Sequence, residues 1–251
     1  MEERTVSAAT EIALIERQLT YRDVHDPDFF CFARYAGRQG LFVDVGGNRG
    51  QSAVSVRVVW PECTIASFEP NPCVVPALSH IAGRLGNMRV YEFALGATEA
   101  EVQFLLPWVD GRPFLEQGTI DPEQFERPWI IDGFAQHGQT VTKTEFRVQA
   151  RKLDSFGLAP TVMKVDAEGS ELAVLQGAQE TLRRHKPLLI VENNDWHRVT
   201  AFLSDLGYSC LRYMHEDGAL VTFFGQITNA FYAHPDSPPP PPIGASRDDS
   251  C

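Results

Sequence analysis

The carboxylates of this chain do not fall at random. Several of them close short apolar runs. Asp44 sits inside FVDVGGNRGQS (42–52), Glu69 ends TIASFE and opens FEPNP, Asp166 and Glu168 follow TVMKV, and Glu192 ends LLIVE. An acid at the end of a buried strand is placed at a sheet edge, where burial raises its pKa toward neutrality and suits it to accept a proton. Lys164 alternates to the same side of its strand as Asp166, so the two can pair. Asp166, Glu192 and Lys164 are therefore the candidate catalytic residues, with Glu168, Asn193, Asp195 and His197 beside them as further polar candidates. Three converging carboxylates (Asp166, Glu168, Glu192) would also suit a magnesium ion, a hard cation that prefers oxygen ligands. The linear spacing itself demands no metal. Glu171, three residues after Glu168, is expected at a helix start, where free amides and the dipole favour an acid in a structural role. His137 is a weaker candidate, standing in a stretch of no clear period.

The glycines beside Asp44 define the ligand more closely. Strand, glycine-rich turn and helix in that order make a concave site at the carboxyl edge of a parallel sheet. Here the order is Asp44, Gly46, Gly47, Asn48, Gly50. It is not GxGxxG, because Asn48 holds the second glycine position of that pattern, and no GK[ST] follows to make a Walker loop. Asp44 would repel a pyrophosphate and would answer an ammonium. Glu69, at the end of the second strand, stands where a βαβ fold grips the hydroxyls of a ribose. A nucleoside that carries an amino-acid-like portion instead of phosphates satisfies both, and S-adenosylmethionine is such a ligand.

The elements that must position these groups are legible as alternation. GLFVDV (40–45), TIASFE (64–69) and RVYEFAL (89–95) read as buried strands, separated by helices over 50–59 and 72–86. TVMKVDA (161–167) and LLIVEN (188–193) read as two more, with one helix over 170–185 between them. A helix ending at Gly207 and closing strands SCLRYM and NAFYAHP complete the pattern. Strands alternating with helices of about a dozen residues predict a parallel sheet covered on both faces. An amphipathic helix is expected near the N-terminus, from Ile12, Leu14, Ile15 and Leu19. Residues 108–145 show no period, but their Trp108, Phe114, Phe125, Trp129 and Phe134 suggest a lid or binding wall rather than disorder.

Composition bounds the rest. The 251 residues are 43% hydrophobic, enough for one sizeable core, and carry 22 Lys+Arg against 33 Asp+Glu for a net charge of −11. That sign disfavours nucleic acid and anionic membrane as partners. No window suggests a membrane span. Cys31, Cys63, Cys73, Cys210 and Cys251 are odd in number and form no CxxC pair, so a reduced, cytoplasmic protein is expected. The end, SPPPPPIGASRDDSC, has the composition of a solvated tail.

DVGGNRGQS, FEPNP, the FALG after the third strand and KVDAEGSELAVLQGAQETLRRHKPLLIVEN together resemble the FkbM family of S-adenosylmethionine-dependent methyltransferases, in order from about Phe42 to Tyr232. The resemblance implies the class I methyltransferase fold, a Rossmann-like α/β architecture with a seven-stranded, mostly parallel sheet. It implies S-adenosyl-L-methionine as cofactor and methylation of a hydroxyl on a sugar, glycolipid or secondary metabolite. Asp44, Gly46, Asn48, Gly50 and Ser52 would line the methionine side, Glu69 and Pro70 the ribose, and Ala94 the adenine. The expected organisation is an N-terminal helical segment (1–39), a methyltransferase domain (40–234) with an irregular insertion at about 108–145, and a disordered proline-rich tail (235–251). That insertion matches nothing in the family pattern, so the acceptor is not implied by it. A non-catalytic cofactor-binding or scaffold protein is one alternative. A dinucleotide-dependent oxidoreductase is another, disfavoured by Asn48 and by the lack of a Tyr-x-x-x-Lys pair.

Overall fold

The computed structural model describes residues 8–125, 138–192 and 194–242, without the side chains of Gln124 and Phe125. Asn193, His137, Trp129 and Phe134 fall outside them, and the Phe125 side chain does too. The main sheet has eight strands. The first five in space are parallel and run β3 (Met88–Tyr91), β2 (Thr64–Phe68), β1 (Leu41–Val45), β8 (Val162–Val165), β9 (Leu188–Glu192). β12 (Asn229–Ala233) then pairs antiparallel to β9, β10 (Ser209–Tyr213) to β12, and the short β11 (Leu220–Thr222) to β10. The fold class is as expected, with one strand more. The eighth arises because the chain doubles back after Tyr213, with Met214 and Gly218–Ala219 exchanging backbone bonds so that 220–222 rejoins the edge.

Alternation along the strands feeds two cores, one per face. Val43, Val45, Met163, Val165, Leu189 and Val191 pack under the helices Glu171–Gln176, Gln179–His185 and Trp196–Asp205. Phe42, Ile65, Val162, Leu188 and Ile190 face the other way, under Trp60, Phe29 and Phe32. Phe29 and Phe32 belong to a 3-10 helix, Pro27–Tyr35, started by Asp26, whose Oδ1 accepts the Asp28 amide at 2.8 Å. α1 (Ala8–Tyr21) and α3 (Val75–Leu85) meet through Ile15 and Ile81, which pack with Val54 of α2 (Gln51–Val59).

Four expectations change. RVYEFAL is not one strand: β3 stops at Tyr91, and β4 (Ala94–Leu95) joins a second, four-stranded sheet. That sheet is built on a long ribbon, β5 (Ala100–Val109) against β7 (Val141–Arg151), with β6 (Arg112–Pro113) on β5. Trp108 and Thr142 are thus ladder partners, and the stretch without regular period is shorter than 108–145. The 170–185 helix is split in two. A Cβ on Gly177 would stand 2.0 Å from the Gly96 carbonyl oxygen, so the backbones touch there, and Asp154 caps the second half by accepting the Glu180 and Thr181 amides at 3.0 and 2.8 Å. Finally, residues up to 242 are anchored where a free tail was expected from 235. Arg34 donates to the Gly218 carbonyl at 2.6 Å and to the Pro240 carbonyl at 3.2 Å, and Lys186 pairs with Asp236. Among the described residues no helix is long and apolar enough to cross a membrane.

Candidate active site

On the sheet face that carries Phe42, Ile65, Val162 and Ile190, the apolar rows give way to polar ones at the carboxyl edge. Register places Ser67 beside Asp44 and Asp44 beside Lys164, all at 7% exposure or less. Asp44 Oδ2 accepts the Ser67 hydroxyl at 3.0 Å, and Lys164 Nζ stands 3.8 Å from Asp44 Oδ1. Nζ also donates to Asp166 Oδ2 at 2.9 Å and to the Gly46 carbonyl at 3.4 Å. Burial raises Asp44 to about 6, with Lys164 and Ser67 opposing. Burial acts to lower Lys164, but Asp166 and Asp44 outweigh it and hold the amine well above its usual value. Lys164 is therefore held as a cation between the two carboxylates.

Above this row lies a cleft of about 250 Å³, at the ends of β1, β2 and β8. Its floor is the glycine turn. The Gly46 and Gly47 amides both donate to the Phe68 carbonyl, at 3.0 and 3.1 Å. Gly46 has φ +78°, and a Cβ there would lie 1.8 Å from the Asp166 carbonyl oxygen, so only glycine lets the two strand ends close. Glu69 accepts the Asn48 amide at 2.7 Å and the Asn71 amide at 2.8 Å, one on each oxygen. Burial pushes it up to about 7, against those two bonds.

Of the residues expected around a cofactor, Gly46, Asn48, Ser52, Glu69, Pro70 and Ala94 line the cleft. Gly50 does not: it starts α2 and faces Ile81 and Leu78. Asp44 lies beneath the lining, and its positive neighbour is Lys164 rather than an open space for an ammonium. Lys164, Asp166 and Glu168 are in the lining, whereas Glu192 opens on a neighbouring hollow of about 320 Å³ with Asn194, Gln226, Ile227 and Thr228. Oxygens of Asp166, Glu168 and Glu192 nonetheless lie within 4.8 Å of one another. Burial and this crowding push Glu168 to about 10 and Glu192 to about 8. Such a trio shares protons or holds a hard cation. Glu171 is apart from it. Its Oε1 accepts the Ala167 and Gly169 amides at 2.9 and 3.0 Å, which ties down the loop on which Glu168 takes φ +48°. Asp195 accepts from Arg198 at 3.1 Å and His197 stacks on Trp196, so neither faces the cleft lining.

Two parts of the site escaped the sequence. One wall comes from the turn after the ribbon: Leu115, Glu116, Gly118, Thr119 and Ile120 line the cleft, with Phe104 behind. Thr119 donates to the Glu168 carbonyl at 2.7 Å, and Leu115 accepts from Asn48 Nδ2 at 3.3 Å. Trp108 and Phe114, the aromatics that drew attention, are not in the lining. The other is His25, from the segment before the 3-10 helix, whose only sequence signal was its place in a dense HDPDFF run.

A parallel run β3-β2-β1-β8-β9 with an antiparallel flank, and a glycine turn and acid at its carboxyl edge, define a class I methyltransferase architecture. Residues 44–210 match the model of the methyltransferase FkbM domain, well over half of the chain. The chain belongs to the FkbM methyltransferase family. It is 24% identical over 187 residues to "Methyltransferase 1" of Beauveria bassiana (strain ARSEF 2860), covering 68% of this chain and 71% of that protein. It superposes with a TM-score of 0.52 and 17% identity on the crystal structure of methyltransferase FkbM from Methylobacillus flagellatus KT, covering 80% of this chain. The match spans about half of that solved chain, 48%.

Proposed function

We propose that the cleft binds S-adenosylmethionine and that the chain moves its methyl group to a hydroxyl of a small or glycosylated acceptor. The observation that carries this is a lining with acceptor oxygens and, among the described residues, no uncommitted side-chain cation. Its one cation, Lys164, is held by Asp166, while Phe68, Pro70, Ala94, Leu95 and Phe104 form an apolar side. A cationic nucleoside fits such a lining, and a pyrophosphate does not. The apolar side suits a flat base, and Glu69 retains lone pairs for a ribose diol beyond its two amide bonds.

When bound, the sulfonium would supply an electrophilic methyl, with a neutral thioether as leaving group that needs no protonation. The residues of the chain supply the rest. The Gly46–Asn48 turn fixes the ligand's depth, and the 115–120 wall keeps water from one side. Lys164 holds Asp166 Oδ2, leaving Oδ1 to accept the acceptor's proton as the oxygen attacks. Glu192, on the neighbouring hollow, stands where an acceptor would enter. The finer choice of oxygen over nitrogen rests on this placement of a carboxylate base.

Calorimetry with S-adenosylmethionine, S-adenosylhomocysteine and NAD tests the proposal. Micromolar binding of the first two, weakened at least ~10-fold in Glu69→Ala by loss of hydrogen bonds to a charged group, is expected. Binding of NAD in their place would refute it.

A further inference from the structure

His25 carries a hydrogen-bonding pattern that fixes its chemistry. The Ser55 side chain beside it, on α2, is fully buried. Its oxygen receives the His25 backbone amide at 3.0 Å and the Gln18 amide at 3.2 Å. Both of those partners are donors. The hydroxyl hydrogen therefore has one acceptor among the described residues, His25 Nδ1 at 2.7 Å. A buried hydroxyl does not leave its proton unmatched. Nδ1 is thus the acceptor nitrogen, and the neutral ring carries its proton on Nε2. Burial around the ring and the Lys164 charge lower its pKa to about 4. The residue as a whole is exposed, which discounts the burial contribution, and the neutral ring follows from the Ser55 hydrogen bond and an ordinary imidazole pKa at neutral pH.

Nε2–H makes no hydrogen bond among the described residues, and His25 lines the cleft beside Gln51 and Ser52, in the first turn of α2. Three of the other side-chain donors there are engaged, and Gln51, Ser52 and Ser170 also line the cleft. Lys164 holds Asp166 and the Gly46 carbonyl, Thr119 holds the Glu168 carbonyl, and Asn48 Nδ2 holds the Leu115 carbonyl. A ligand carboxylate entering a lining this rich in acids needs a donor that is neither spent nor negative.

We infer that His25 is a neutral hydrogen-bond donor, through Nε2–H, to the carboxylate of the amino-acid end of the bound methyl donor. This rests on the S-adenosylmethionine reading of the cleft. It also means that part of the cofactor site comes from residues ahead of the 44–210 family match.

The test compares S-adenosylhomocysteine, which has the carboxylate, with 5′-methylthioadenosine, which lacks the amino-acid portion. Calorimetry on the full chain should show His25→Ala weakening the former about 10-fold or more, as for a lost bond to a charged group, and the latter less than about 2-fold. His25→Phe, which keeps a ring against Phe29 (4.9 Å in the native pair), should behave like the alanine variant if the latter folds poorly. His25→Gln, whose amide nitrogen falls near the Nε2 position, should recover most of the loss. Equal weakening of both ligands, or no selective loss, overturns the role of His25 while leaving the cleft assignment intact. Failure of the unaltered protein to bind either ligand overturns the cleft assignment itself.

Discussion

Glu168 offers the sharpest test of the electrostatics. Its carboxyl is lifted from 4.5 to about 10, first by burial and then by Glu192 and Asp166. A carboxyl with a raised folded pKa favours the folded state most below its unfolded value and loses that contribution as pH rises toward the folded value. Each unit is worth about 1.4 kcal/mol, so between pH 5.5 and 8.5 Glu168 alone would cost the fold up to ~4 kcal/mol. Proton sharing with Glu192 reduces this to about 2 kcal/mol, on the order of half that ceiling. Glu168→Gln mimics the protonated acid and keeps an oxygen for Gln117 Nε2, which donates to it at 3.3 Å. The variant should therefore match the parent near pH 5.5 and exceed it at pH 8.5 by about 5 °C in Tm, taking ~2–4 °C per kcal/mol for a chain of this size. Thermal unfolding across that window, in chelator so that no cation replaces the proton, reads the difference. Parallel curves, or a variant less stable at pH 8.5, would mean that the three carboxylates are not crowded as described.

Two further outcomes follow from the same geometry. Gly46→Ala places a methyl 1.8 Å from the Asp166 carbonyl at a φ of +78°, and should destabilise the fold by about 2 kcal/mol or more while abolishing S-adenosylhomocysteine binding; calorimetry and a melting curve check both. Asp166→Asn removes the proposed proton acceptor, and should leave S-adenosylhomocysteine affinity within about 3-fold while lowering turnover on any acceptor by at least ~100-fold; a binding loss of the same size would make Asp166 a cofactor ligand instead.

The parallel core and the turn from Asp44 to Ser52 were legible because both are local: apolar runs ended by acids, and glycines spaced for a tight turn. The pairing of Lys164 with Asp166 was legible too, since alternation along one strand places them on one side. What could not be read was the cross-strand row. Ser67, Asp44 and Lys164 become neighbours only through the order β2-β1-β8, and a sequence does not print strand order. That is why Asp44 was given a ligand's ammonium as its partner when Lys164 already stands 3.8 Å away. The pairing of the long ribbon was missed for a related reason. Its second strand is polar toward its tip, with Thr142, Lys143, Thr144 and Glu145 breaking any apolar run.

The two parts that escaped the sequence sit differently against the family match. His25 precedes the matched residues, whereas the 115–120 wall lies within them, in a stretch whose sequence shows no regular period. Arg49, in the glycine turn, pairs with Glu11 of α1 and with Glu116 of that wall, so one side chain ties both segments to the strand, turn and helix of the core. Burial of Glu11 at 7% exposure makes this more than a surface contact. An exposed pair adds little, but a partly buried one that loses a partner leaves a charge without compensation. The turn that would hold the methyl donor is thereby braced from two directions by segments outside the core pattern. The core and the His25 arm can then supply the donor site, while the wall, which closes the other side of the cleft, is where selectivity for the acceptor is best sought.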